Sequence, residues 1–181
     1  MSLQAGTYQL GPGDGTLSVR TGRTGAAAKA GHDLLLHVTA WEATLAIGGD
    51  LAASSVELAA DAASLRVREG RGGMQSLGDD DRASIEQTID DDVLKRQDIR
   101  FRSTAVTGGD GTLRVEGELT LAGTTRPLAF DLHVGDDGRL RAVAVVTQSD
   151  WGMKPYSALF GALKVADDVR VELDAGLPQS P

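Results

Sequence analysis

Any chemistry in this chain would have to come from three histidines, two short acidic runs and a few isolated hydroxyls. His32, His37 and His133 are the nitrogen ligands on offer, and a zinc site needs three or four convergent donors. His32 and His37 lie an odd number of positions apart, so on one regular strand they face opposite sides. His133 shares a face with Asp131 and belongs in water. Ordinary surface or satisfied histidines account for all three, and no metal is expected. The runs Asp79-Asp80-Asp81 and Asp90-Asp91-Asp92 lack the spaced ligands and distal Glu of a calcium loop. Solvated helix faces and partners of a helix dipole explain them better. With no Cys, no G-x-S-x-G elbow and no His beside Ser157, a nucleophile has no local support. Gly13 and Gly15 precede no helix, which argues against a phosphate cradle. No catalytic residue and no cofactor is expected.

Two polar features could still act at a site. His32-Asp33 follows Gly31, and Lys154 lies in a loop that gathers scarce aromatics. Each reads as a latch holding a lid or as a contact to a ligand headgroup, and a lysine can also reach solvent from an apolar stem. Aromatic residues make up only 4% of the chain. Yet Trp151, Tyr156 and Phe160 share one connection with Met153 and Leu159. Such a segment cannot lie open in water without cost, so it should fold back over an apolar opening. Its large side chains read equally well as a plug or as the lining of a ligand site. Pro155 suits the first position of a short helical turn, and Gly161 its exit.

The elements that position these residues are mostly strands. Leu113, Val115, Gly117, Leu119 and Leu121 alternate with polar neighbours, and so do Leu128, Phe130, Leu132 and Val134. A third run takes in Val165, Asp167, Val169, Val171 and Leu173, where Asp167 marks a bulge or an entrance. Further strands are expected at Thr7 to Leu10, Thr16 to Arg20, Leu34 to Ile47, Ser55 to Ala60 and Ile99 to Val106. Glycine-rich joints at residues 108–111, 123–124 and 135–138 make successive strands neighbours. One wet face per strand implies an antiparallel sheet burying a single side. Eight or so strands can close into a barrel that holds side chains or one small ligand. Small inward residues such as Ala142 and Ala144 leave either a collapsed lumen or a tube for a linear chain.

Between Asp79 and Arg96 the period changes. Ile85, Ile89 and Val93 recur at helical spacing, which predicts an amphipathic helix. Ser84 and Gln87 suggest a capping box and a helix from about Ser84 to Arg96. Lys95 and Arg96 would then pair with Asp91 and Asp92 across one turn.

Composition excludes several classes. A formal charge of −8 and a pI near 4.8 disfavour nucleic acid or an anionic membrane surface as the main partner. Without Cys, disulfides and thiolate metal sites are out. No apolar run is long enough for a transmembrane helix. The opening residues Met1 to Gly6 form no secretory signal, so the compartment is expected to be cytoplasmic, or periplasmic or secreted if a signal was removed.

Four stretches carry a resemblance. They are Ile99-Arg100-Phe101-Arg102-Ser103, the hairpin from Glu116 to Pro127 with its Thr124-Thr125-Arg126-Pro127, Ser149-Asp150-Trp151-Gly152, and Asp168-Val169 with the strand after it. In these the chain resembles the YceI-like family of lipocalin-like, polyisoprenoid-binding proteins. The resemblance implies an all-β fold with one flanking helix, an antiparallel meander β-barrel of the lipocalin or streptavidin type, as a single domain over residues 1–181. It implies binding, carriage or sequestration of a linear hydrophobic small molecule in the lumen, with an isoprenoid lipid favoured. The expected ligand-binding residues are Phe101, Leu119, Phe130, Val146, Trp151, Met153, Tyr156 and Phe160, with His32 and Lys154 at a headgroup or latch. A long-chain lipid is the expected partner, and a homodimer stays open. Two alternatives remain: a barrel with a filled core acting as a protein-interaction module, and a small-molecule enzyme at a rim site near His32, Asp150 and Lys154.

Overall fold

The structure, a computed structural model, describes residues 3–158 and 163–178. Strands β1 (Gly6–Leu10), β2 (Gly15–Arg20), β3 (Arg23–Thr24), β4 (His32–Val38), β5 (Trp41–Ile47), β6 (Ser55–Ala60) and β7 (Leu65–Gly72) precede helix α1 (Asp79–Thr88). After it come β8 (Ile99–Gly109), β9 (Thr112–Leu121), β10 (Thr124–Val134), β11 (Arg139–Thr147), β12 (Ser157–Ala158), β13 (Leu163–Val165) and β14 (Asp168–Gly176). Among the described residues, eleven strands form one sheet in the order β1-β5-β6-β8-β9-β10-β11-β14-β2-β4-β7, and β12, β13 and β3 form a second, small one. All the pairings are antiparallel.

Registers show how this sheet closes. Pairing runs from Gly6↔Ile47 to Leu10↔Ala43, then resumes in the same sense from Leu17↔Val38 to Arg20↔Leu35. The β1–β2 run therefore lies along the β5–β4 run as one bent stave against another. The β4–β5 and β7–β6 runs pair in the same way. At their shared corner Thr39 N–H donates to the Ser64 carbonyl at 2.9 Å and Asp61 N–H to the Ala40 carbonyl at 3.0 Å. Three bent runs reduce the eleven strands to eight staves. The ladder returns on itself because β14 pairs with β2 while β6 pairs with β8. The fold is the expected antiparallel barrel with one helix, and β8 to β11 are its meander.

The wall follows from alternation. Leu113, Val115, Leu119 and Leu121 are buried, while Arg114, Glu116 and Glu118 between them are exposed. The β9–β10 hairpin turns through Ala122 (φ 48°) and Gly123 (φ 79°), the paired left-handed residues of a turn whose twist matches its strands. Gly117 occupies the inward row where a side chain would collide. A Cβ there would lie 2.6 Å from Cζ of Phe101 and would also strike the Arg102 carbonyl. That gap admits the Phe101 ring, which packs against Phe130 at 5.3 Å between centroids, tilted by 55°.

Several details differ from the sequence reading. First, the stretch expected as one strand from Leu34 to Ile47 is β4 and β5, separated at Thr39-Ala40. Second, the run from Val165 to Leu173 is two strands, with Asp167 at the break. The Asp167 carboxylate accepts from Ser149 N–H at 2.8 Å and also from its hydroxyl, while its carbonyl accepts from Gln148 N–H. These bonds pull the chain out of the ladder. Third, Leu65–Gly72 is a strand that the reading passed over, because its outer half, Arg68 to Gly72, has no buried residue to mark a period. Fourth, the helix starts at Asp79 rather than Ser84, with Asp81 accepting from Gly78 N–H at 3.0 Å. Asp79, Asp80 and Asp81 all occupy the first turn, where the exposed N–H groups and dipole favour negative charge. Ser84 and Gln87 are mid-helix and form no capping box.

A π-turn over Ile89–Val93 prolongs the helix. Its extra residue per turn brings Arg96, not Lys95, to Asp91, with Nε 2.6 Å from Oδ1. The expected Arg96–Asp92 pair does not form. The hydrogen bond from Arg96 holds the Asp91 carboxyl below the usual carboxylate range. Lys95 and Arg96 then leave the helix in left-handed conformations. Ile85, Ile89 and Val93 pack against the core, as their spacing requires. Among the described residues no helix is long and apolar enough to cross a membrane.

Candidate functional site

The barrel encloses a cavity of about 490 Å³, within the size range of small-molecule sites. Every stave contributes to its wall, for example Leu17, Leu36, Leu58, Phe101, Leu119 and Phe130. The apolar stripe of the helix, Ile85, Ile89 and Val93, lines it too, so α1 is part of the wall. Ala142 and Ala144 occupy lining positions on β11, where short side chains leave volume that leucines would fill.

Described residues of the aromatic loop and of the small sheet line the cavity together. Residues 148–151 form a turn of 3-10 helix that Gly152 ends at φ 68°, a left-handed angle glycine adopts freely. Trp151 is 4% exposed, and its indole N–H donates to the Leu119 carbonyl at 2.8 Å. This bond anchors the loop to wall strand β9. Met153 is buried against the cavity, whereas Tyr156 lines it at 51% exposure and so stands at the rim. From there Val165 N–H donates to the Tyr156 carbonyl at 2.9 Å, and Val165 lies opposite Arg23 in the β13–β3 pair.

The residues singled out from sequence fall into distinct places. Phe101, Leu119, Phe130, Val146, Met153 and Tyr156 line the cavity. Trp151 does not: it is buried, and its indole N–H is engaged by the wall carbonyl. Phe160 and Leu159 lie outside the described residues. His32 lines the cavity, and its Nε2 donates to the Gln75 carbonyl at 2.7 Å. Lys154 is exposed and off the lining, and Asp150 is exposed in the turn. The other half of the His32-Asp33 pair meets a residue that was not anticipated. Asp33 faces Arg23, Oδ1 to Nε at 3.6 Å, and Arg23 also donates to the Gly31 carbonyl. His37 points outward, as the odd spacing from His32 requires, and burial together with Arg68 and Arg20 holds its imidazole below the usual value. Among the described residues no three His, Asp or Glu side chains converge.

Arg23 and Gln148 are among the lining residues that the sequence reading did not single out. Arg23 reaches the cavity because β3 pairs with β13, a contact between segments too distant in sequence to be read from local pattern. Gln148 is buried on the cavity side, with its amide donating to the Ala166 carbonyl at 3.1 Å. A polar residue ending an alternating strand was the only available signal for it.

A family model described as a YceI-like domain matches residues 12–177. In three dimensions the chain is similar to the crystal structure of Burkholderia cenocepacia BcnA, with a TM-score of 0.61 and 16% identity over 87% of this chain and 94% of that one. It is also similar to a Campylobacter jejuni YCEI protein, with a TM-score of 0.55 and 14% identity over 80% of this chain and 85% of that one. At such identities the likeness concerns the fold alone. No curated protein matches the sequence.

Proposed function

The chain belongs to the YceI-like family, and from that premise we propose that it binds and carries a linear hydrophobic small molecule, an isoprenoid lipid, in the barrel lumen. The observation that carries this reading is the cavity itself, walled by aliphatic and aromatic side chains from all eight staves and from the helix. Phe101, Leu119, Phe130, Val146, Met153 and Tyr156 are the proposed contacts. Each buried methylene contributes roughly 0.8 kcal/mol, so a long tail offsets an association cost of roughly 4–15 kcal/mol without strong polar contacts. An open cavity of this size argues against a filled barrel working only as an interaction module. The proposed role is that of a carrier rather than a catalyst.

Calorimetric titration with neutral polyprenols of increasing length tests the proposal. Affinity should climb steeply with each added isoprene unit and then level off once the lumen is full. A flat series, or no heat at any length, would remove lumen binding as the function.

A further inference from the structure

On a chain of net charge −8, the charges that line the cavity are positive. Arg23 and Lys164 are the charged residues among the described lining, and no Asp or Glu is there. Their placement differs. Lys164 lies opposite Thr24, and both are exposed. Arg23 lies opposite Val165, both half-buried, so of the two cations in the lining it is the one better shielded from water.

The surroundings of Arg23 are built to hold it. A Cβ on Gly72 would collide with its guanidinium, and one on Gly73 would collide with the His32 ring. Both glycines have positive φ, 80° and 75°, so the turn after β7 leaves room for two basic side chains where other residues could not sit. The guanidinium is only partly engaged. It donates to the Gly31 carbonyl, and the Asp33 carboxylate stands off at 3.6 Å. Nη2 has no acceptor among the described residues, and a guanidinium offers five N–H donors in a fork that matches an oxyanion. Gln148 adds a buried amide at the same end, tied to Ala166, whose own N–H donates to the Gly22 carbonyl beside Arg23.

We propose that Arg23 selects ligands whose apolar tail ends in an oxyanion, a carboxylate or a phosphate, and that Asp33 restrains it until such a group arrives. This rests on the lumen-binding reading above and adds a headgroup to it. The headgroup replaces the distant Asp33 carboxylate as the guanidinium's partner while the tail occupies the apolar wall.

The test uses one fifteen-carbon tail with three heads: farnesol, farnesoic acid and farnesyl phosphate. Each is titrated calorimetrically into the full chain, into Arg23→Gln and into Asp33→Asn. An ionic hydrogen bond of ordinary strength makes at least one anion about tenfold tighter than the alcohol. Arg23→Gln should erase that advantage, so that the acid, the phosphate and the alcohol bind this variant alike. Asp33→Asn should strengthen anion binding, a gain that mere damage to the fold would not produce. The acid or the phosphate binding tighter identifies which oxyanion the site takes. Equal binding of all three heads to the parent chain overturns the inference and leaves lumen binding intact, without depending on either variant. Failure of all three to bind overturns the lumen reading itself.

Discussion

The wall from β8 to β11 and the mouth around Arg23, Gln148 and Tyr156 are made in different ways. In the wall, each strand pairs with the next in sequence through short turns, and alternation alone sorts inward from outward residues. Val115 and Leu140, both fully buried, sit within such strands. The mouth joins segments remote in sequence by single contacts: an indole to a carbonyl, an arginine to a carbonyl, a two-residue strand to a three-residue one. Cooperative ladders give a rigid frame, whereas elements held by few bonds open at lower cost. A frame that keeps its volume and a mouth that can yield are what passage of a long tail requires.

The sharpest break in that contrast is expected where the two regions meet. Trp151→Ala removes a buried ring and leaves the Leu119 carbonyl without its indole donor, and should cost about 3–5 kcal/mol in urea unfolding. A loss below about 1 kcal/mol would mean that the loop hangs loosely and that the frame ends at β11. Next is the helix. Ile89→Asp places a charge on the stripe that faces the cavity and should cost about 1–3 kcal/mol. A variant that melts like the parent would make α1 an appendage instead of wall.

Phe130 tests the frame from inside. It packs on Phe101 but borders open volume, so Phe130→Ala should cost about 1–2 kcal/mol rather than the 3–5 of a fully enclosed ring. A loss in the higher range would show that the lumen is closed around it. The smallest effect belongs to the outer face. His37 has a folded pKa below its ordinary value because burial, Arg68 and Arg20 oppose its charge. The unfolded chain then binds the proton more tightly, so stability is complete above about pH 6.5 and declines as pH falls below it. His37→Gln should flatten that acid-side decline in melting temperature. An unchanged slope would mean that other groups set it.

The same contrast explains what could be read from the chain. The meander was legible because Leu113 to Leu121 and Leu128 to Val134 keep a strict period of two. The helix was legible through Ile85, Ile89 and Val93, but its start was not. Ser84 has the chemistry of a cap, and only the tertiary arrangement shows that the aspartates ahead of it already fill that role. Lining residues such as Leu119 and Phe130 lie on faces that alternation marked as inward. Arg23 was not so marked, since neither its neighbours Gly22 and Thr24 nor any local period announces a pairing with β13. Of the His32-Asp33 pair, Asp33 faces Arg23, a neighbour that no local pattern pointed to. A mouth sewn together by long-range contacts leaves little trace in local pattern.

The central claim is that the lumen holds a linear lipid, and filling the lumen tests it most directly. Ala144 lines the cavity on β11, so Ala144→Phe should occupy that volume while the ladder around it stays paired. Both proteins are produced in a lipid-containing host, purified and extracted with organic solvent, and the extracts are compared by mass spectrometry. The account predicts near-stoichiometric linear lipid from the parent chain and little from Ala144→Phe at a similar melting temperature. No lipid from the parent, or equal amounts from both, would contradict it.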